Sequence, residues 1–307
     1  MSGDLPPNLD RLHAAEEELR QKARHMIAGD PRLQLHLAVT EAAMELADAL
    51  RQFATSDEDL KVVQMLGMRT FNAFAAGLKL MLSGYHQNSA LVLRDVLETA
   101  FLLDLFRGDC SLIERWRFAD KKARMKDFSP VKVRGALDAR DGNASKKRFE
   151  MYEMFSELAG HPTMNSHLMM RPEKGGDAVI GPFMEFTTLQ AGLSEMGRLA
   201  AQVGESLDAF FPPGWGLPSR VVFSRLKLNW FSTFYPNAGS QHNGRMKCLC
   251  CEDTGWVCEN HPDQPFTGSH ACTCGGAGAP CPRCNPSSGD EPPRLPKGFE
   301  PDDGTTT

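Results

Sequence analysis

Eight of the nine cysteines in this 307-residue chain fall between Cys248 and Cys284, and no other feature limits its folding as sharply. The stretch CLCCEDTGWVCENH, residues 248–261, alone holds four cysteines and a histidine. Written as pairs, the cluster is Cys248-x2-Cys251, Cys258-x2-His261, Cys272-x-Cys274 and Cys281-x2-Cys284. Three of the four pairs have the two-residue gap that lets both side chains of one tight turn face a single metal ion. Zn²⁺ takes four nitrogen or sulfur ligands tetrahedrally, so eight ligands in four pairs would fill two closed sites. A segment so poor in apolar residues needs a cross-link of some kind in order to fold. Zinc is the favoured cross-link; a disulfide framework, a redox dithiol and an iron–sulfur site are the alternatives. Disulfides belong to oxidising compartments, and the start MSGDLPPNLDRL shows no basic region followed by an apolar one, so a cytoplasmic protein is expected. No glutamate stands in an H-E-x-x-H or H-x-E…C-x-x-C context, which makes the expected zinc structural, not catalytic.

Glycines sharpen this reading. CLCCEDTGW contains C-x-x-C-x-x-T-G, and CGGAGAPCPRC contains C-x-G-x-G before a further C-x-x-C. With these turns the segment resembles the cysteine-rich zinc module of DnaJ-type chaperones, where glycine permits the tight turn after each ligand pair. It is also similar, over roughly residues 246–287, to small bacterial cysteine-rich proteins built around EDTGWVCENHP and GGAGAPCPRCN. The DnaJ resemblance implies that the outermost pairs share one ion and the inner pairs the other. Cys248, Cys251, Cys281 and Cys284 would then form one site, and Cys258, His261, Cys272 and Cys274 the second. The chain departs from that pattern in its Cys-His second pair and its C-x-C third pair, which bears on the partition more than on the ligand list; Cys250 and His270 are spare candidates that could replace Cys248 and His261. The resemblance also implies co-chaperone-like client binding. However, the only His-Pro-Asp, at 261–263, lies among metal ligands and not between two helices.

Up to about residue 235 the pattern is helical. LDRLHAAEEELRQKARHMIAG starts after Pro6-Pro7 and stops at Gly29-Asp30-Pro31. Further helices are expected in LQLHLAVTEAAMELADALRQFA, in LKVVQMLGMRTFNAFAAGLKLML behind a Ser56-Asp57 cap, and in HQNSALVLRDVLETAFLLDLFRG after Gly84. Shorter ones follow at about 111–127, 130–140 and 145–159. RPEKGGDAVIGP then makes a loop or short extended piece, before helices at roughly 184–210 and 218–234. No segment alternates strongly at period two, so the fold class is an all-α helical bundle over 1–235. A linker (236–246), a zinc-stabilised Cys-rich module (247–286) and a disordered, acidic, Pro-rich tail (287–307) complete the organisation.

Residues 246–307 hold four basic and nine acidic side chains, which leaves 30 of each sign in 1–245. Neither part has the basic excess that tight phosphate-backbone binding requires. The most apolar stretch, ALVLRDVLETAFLLDLF, carries Arg94, Asp95, Glu98 and Asp104, which excludes it as a membrane span.

That stretch is apolar nearly all round and reads as a buried central helix, with Arg94 and Glu98 on a face shared with Leu91, Leu102 and Leu105. The pair is either a structural i,i+4 ion pair or part of a functional pocket. In YEMFSELAGHP, Tyr152, Ser156 and Ala159 share one helical face, and His161 follows the helix end, where a cation is favoured.

GYHQNSALVLRDVLE followed by YEMFSELAGHP resembles a family of HEPN-like bacterial helical proteins over roughly residues 35–210, the matching positions being Arg94, Glu98, Tyr152, Ser156 and His161. The resemblance implies a small helical bundle of the kind found in toxins and abortive-infection systems, some of them metal-independent ribonucleases. Arg94, Glu98 and His161 are then the candidate catalytic residues, with arginine stabilising phosphate charge and histidine as acid or base. The ribonuclease spacing Arg-x4-6-His occurs once, as Arg20-x4-His25 on the first helix, where a chance match is the simpler account. The leading expectation is a helical HEPN-like domain joined to a module holding two Zn²⁺ and used with a protein partner. RNA is a partner only for the ribonuclease alternative, no membrane is involved, and homodimerisation through helices is open.

Overall fold

The computed structural model describes residues 7–142, 147–173, 175–236, 248, 250–251, 254–267, 271–282 and 284–285. Its contacts divide into two compact units, Met1–Phe234 and Tyr235–Thr307.

The first unit is helical: α1 (Pro7–Gly29), α2 (Pro31–Arg51), α3 (Glu58–Leu82), α4 (His86–Gly108), α5 (Ser111–Phe118), α6 (Lys121–Asp127), α7 (Pro130–Asp141), α8 (Lys147–Phe155), α9 (Phe186–Asp208) and α10 (Leu217–Phe234). Helix starts follow local chemistry. The Asp30 carboxylate accepts from the Arg32 and Leu33 amides, and Pro31 occupies the first helical position, where a missing N–H costs nothing. Asp57 caps α3 in the same way through Asp59 and Leu60. Between α3 and α4 the chain turns at Gly84 with φ +88°, and an added Cβ would lie 2.6 Å from the Phe183 carbonyl oxygen, so no other residue fits.

The core lies where α2, α3, α4 and α9 meet, with α10 laid on α2. Helix α4 is central: Leu93, Val96, Leu97, Ala100, Leu103 and Phe106 are buried on several sides. Close packing on α9 depends on small residues. Gly204 faces the Phe223 ring, and Gly197 sits beneath the Trp230 indole and the His36 ring. His36 itself is buried, accepts a 2.8 Å hydrogen bond at Nδ1 from Trp230 Nε1–H, and stacks on Phe234.

Three expectations need correction. The segment 111–127 is two helices, because Asp120 takes an extended conformation and caps α6 by accepting from the Ala123 amide. The helix expected at 145–159 ends as α-helix at Phe155. It continues as a π-turn, Ser156–Gly160, closed by the His161 N–H on the Ser156 carbonyl at 2.9 Å. Helix α4 is less enclosed around its charged pair than an all-apolar helix would be, since Leu91 is exposed.

Within the second unit the described residues form a three-stranded antiparallel sheet, β1 (Trp256–Cys258), β2 (His261–Pro265) and β3 (Gly278–Pro280), in the order β2-β1-β3. Its buried apolar cluster is small: Cys250, Cys251, Val257 and Cys281. The acidic tail and His270 lie outside the described residues, as does nearly all of the expected linker. Among the described residues no helix is long and apolar enough to cross a membrane.

Candidate metal centres

Two groups of four ligand atoms come together in the second unit, each within 4.8 Å of one another: Cys248, Cys251, Cys281 and Cys284, and Cys258, His261, Cys272 and Cys274. In the first, Sγ of Cys248 is 3.6 Å from Cys281 and Sγ of Cys251 is 3.3 Å from Cys284. In the second, Cys258 Sγ is 3.4 Å from Cys274 Sγ and 3.9 Å from His261 Nδ1, and Cys272 Sγ is 3.3 Å from that nitrogen. Tetrahedral zinc with bonds of about 2.3 Å to sulfur places ligand atoms roughly 3.8 Å apart, so each group is the right size for one ion.

Local backbone chemistry builds both groups. In the first, the Cys251 N–H donates to Cys248 O and the Asn285 N–H to Cys281 O, which folds each C-x2-C pair into a turn. Gly255, at φ +75°, joins the two turns: its carbonyl accepts from the Cys281 N–H at 2.9 Å and from Asn285 Nδ2 at 3.1 Å. In the second group, Cys258 ends β1 and His261 opens β2 directly opposite it in the register, so the hairpin turn presents both to one ion. The Cys272 N–H donates to Pro265 O and holds the returning chain in place. Gly276 approaches so closely that an added Cβ would lie 3.0 Å from Cys258 Sγ.

The two groups differ in environment. Cys251 and Cys281 are fully buried, whereas Cys274 in the second group is exposed. Burial pushes Cys248 up, but amide donors from Cys250 and Cys251 and the neighbouring thiols bring it down to about 7. Burial also pushes Cys284 and Cys251 up, and in Cys284 the nearby thiols add to the effect. The Gly276 amide and the Cys258 thiol lower Cys274 to about 6, while Cys258 and Cys274 raise His261. In each group one thiol is lowered and a neighbouring one raised, which is the resistance of closely packed thiols to a second negative charge. A divalent cation removes that resistance and displaces the remaining protons. With four protein ligands apiece, neither group leaves an open coordination position, so the arrangement suits a structural ion. Of the spare candidates, Cys250 is buried in the small core outside both groups.

In the helical unit, Arg94 and Glu98 pair across one turn of α4 at 3.3 Å. Arg94 Nη2–H also donates to the Tyr152 hydroxyl at 2.5 Å, and its guanidinium lies 4.8 Å from the centre of that ring. Burial raises the Glu98 carboxyl, with Arg94 and Arg134 acting against it. His161 is exposed after the π-turn, and among the described residues its side chain makes no hydrogen bond to Arg94 or Glu98. The neighbouring Gly160 does touch Arg94, since an added Cβ would lie 3.3 Å from Nη1. Arg20 is tied to Glu17 by two 2.7 Å hydrogen bonds on the exposed face of α1, where His25 is also exposed.

One residue of this region has no signal in the sequence. Arg134 of α7 is 6% exposed and stacks over Tyr152 at 3.9 Å. Only its place between Val133 and Leu137 in VKVRGALD hints at burial. Comparisons of the chain with protein-family models, with curated proteins and with solved structures give no match.

Proposed function

We propose that the chain is a zinc-binding protein in which two structural Zn²⁺ ions fold a C-terminal module that presents a surface to a protein partner. Cys248, Cys251, Cys281 and Cys284 hold one ion, and Cys258, His261, Cys272 and Cys274 hold the other. The observation that carries this reading is the completeness of both four-ligand groups. A closed site contributes folding energy and no reaction chemistry. Phe266, 38% exposed beside β3, is the large exposed apolar residue among the described residues of the module. The helical unit is read as HEPN-like on the residues quoted above.

Metal analysis of the full chain with thiol titration tests the proposal. It expects two zinc per chain and protection of the seven ligand cysteines until a chelator is added. Iron, or disulfides that survive denaturation without reductant, would replace it.

A ribonuclease reading rests on a separate observation, the packing of Gly160, the residue before His161, against Arg94. If it holds, His161→Ala abolishes growth inhibition by the expressed protein. Equal toxicity of wild type and variant excludes catalysis by His161.

A further inference from the structure

We propose that Arg94, Arg134 and Ser156, grouped around Tyr152 in the helical unit, form a binding site for an oxyanion, the phosphate or carboxylate group of a small ligand. The site belongs to the helical unit and does not depend on the zinc reading, although it shares Arg94 with the ribonuclease reading.

Arg134 of α7 is buried. An arginine that is 6% exposed is normally paired with a carboxylate, because an isolated buried charge is expensive. Among the described residues Arg134 has no ion pair, and its buried Nη1 has no hydrogen-bond partner. Stacking over Tyr152 at 3.9 Å, with Phe149 at 6.0 Å, engages the face of the guanidinium. It leaves the in-plane N–H groups unanswered, and these are the groups that grip an oxyanion.

Two more buried donors nearby are in the same condition: Arg94 Nε and the hydroxyl of Ser156, a residue only 8% exposed. Tyr152 and Gly160, which flank Ser156 at four residues on either side, both touch Arg94. This puts Ser156 on the helix face that meets that arginine. The Tyr152 oxygen accepts from Arg94, so its own O–H proton is left to donate. The donors thus come from three separate elements, α4, α7 and the α8 π-turn segment, with the Tyr152 ring in contact with both guanidinium groups.

Charge points the same way. Two guanidinium groups meet on the Tyr152 ring, and among the described residues the one carboxylate paired with either of them is Glu98, which is engaged by Arg94. Asp95 on the same helix is taken by Arg69 at 2.5 Å. The group keeps a net positive charge and a surplus of donors over acceptors. An oxyanion supplies both missing quantities, with up to four acceptor atoms and a negative charge. Arg94 and Glu98 have side chains 21% and 32% exposed, so solvent reaches this edge of the group.

Isothermal titration of the full zinc-loaded chain with sodium phosphate and, separately, sodium acetate, at ionic strength fixed with sodium chloride, tests the proposal. We expect saturable binding of at least one anion, one per chain. Phosphate alone assigns a phosphoryl group, and acetate alone a carboxylate. Arg134→Gln should weaken binding at least tenfold, and Glu98→Gln should tighten it several-fold by removing the competing acceptor. Arg24→Gln, on the exposed face of α1, should leave it unchanged. Should Arg134→Gln fail to fold by circular dichroism, Ser156→Ala carries the test, with several-fold weaker binding expected. The proposal is overturned if neither anion gives saturable heat with the wild type. It is equally overturned if a folded Arg134→Gln, or Ser156→Ala in its place, binds as tightly as wild type.

Discussion

Chelation should unfold the cysteine-rich unit and leave the helical unit intact. The buried cluster of the second unit contains one aliphatic side chain, Val257, beside Cys250, Cys251 and Cys281. Full burial of a valine contributes about 2 kcal/mol. A four-ligand structural zinc contributes roughly 10–16 kcal/mol near neutral pH, so the metal term of two ions exceeds the valine term many times over. The sheet adds little, since β1 and β3 are three residues long. The helical unit, by contrast, has a continuous core from Ala23 to Trp230 with no metal ligand in it. The assay is a chelator titration of the full chain, followed by far-ultraviolet circular dichroism and by reaction with a thiol reagent. Before chelation only the exposed Cys110 should react quickly; afterwards all nine cysteines should, while the helical signal changes by no more than a small fraction. The exposed second group should release its ion first, because solvent and competing ligand reach Cys274. Thiols that stay protected after complete metal removal would refute the reasoning, since Val257 and three short strands would then be enough to hold the unit together.

Further predictions concern single residues. Burial holds His36 at about 4, below the unfolded value of about 6.5, so its neutral form stabilises the fold. That contribution is complete above pH about 6.5 and is lost as pH falls toward 4. The loss is at most about 3 kcal/mol, and denaturant melts of the helical transition near pH 7 and about pH 4.5 should show it shrinking in His36→Gln. Gly204→Ala should destabilise the helical unit by about 1–3 kcal/mol, because the new methyl overlaps the Phe223 ring; an unchanged melting temperature would contradict the packing. Cys248→Ser should cost one of the two zinc ions while Cys250→Ser keeps both, as read by metal content.

The parts of this molecule that were legible in its sequence are those fixed by near neighbours. Asp30-Pro31, Asp57 and Gly84 mark helix boundaries because capping and positive φ involve only a few adjacent residues. The ligand pairs were legible for the same reason: a C-x2-C turn is closed by its own backbone, as in the Cys251 N–H to Cys248 O bond. The break at Ala119-Asp120 was hidden by apolar residues that continue past it, although Asp120 is a good cap. Strands β1 and β3 were invisible because three residues are too few for alternation to register. The π-turn at Ser156–Gly160 has no local signature, yet it sets where His161 emerges and brings Gly160 against Arg94.

Arg134 shows the limit most clearly. Its ring partner Tyr152 belongs to α8, and Arg94, which shares that ring, belongs to α4. Within a few residues of Arg134 only Val133 and Leu137 hint at burial, and nothing local points to its ring partner. Reading Arg94 and Glu98 as an isolated i,i+4 pair makes the pair look self-sufficient, one charge answering the other. Adding Arg134 changes the balance, because among the described residues Glu98 is paired with Arg94 alone while a second guanidinium stacks on the same Tyr152 ring, which engages both cations without neutralising either. A structural ion pair would need no such surplus of donors, whereas a site that receives a negative group from outside does. The long-range juxtaposition of α4, α7 and α8 therefore carries functional information that no window of the sequence contains.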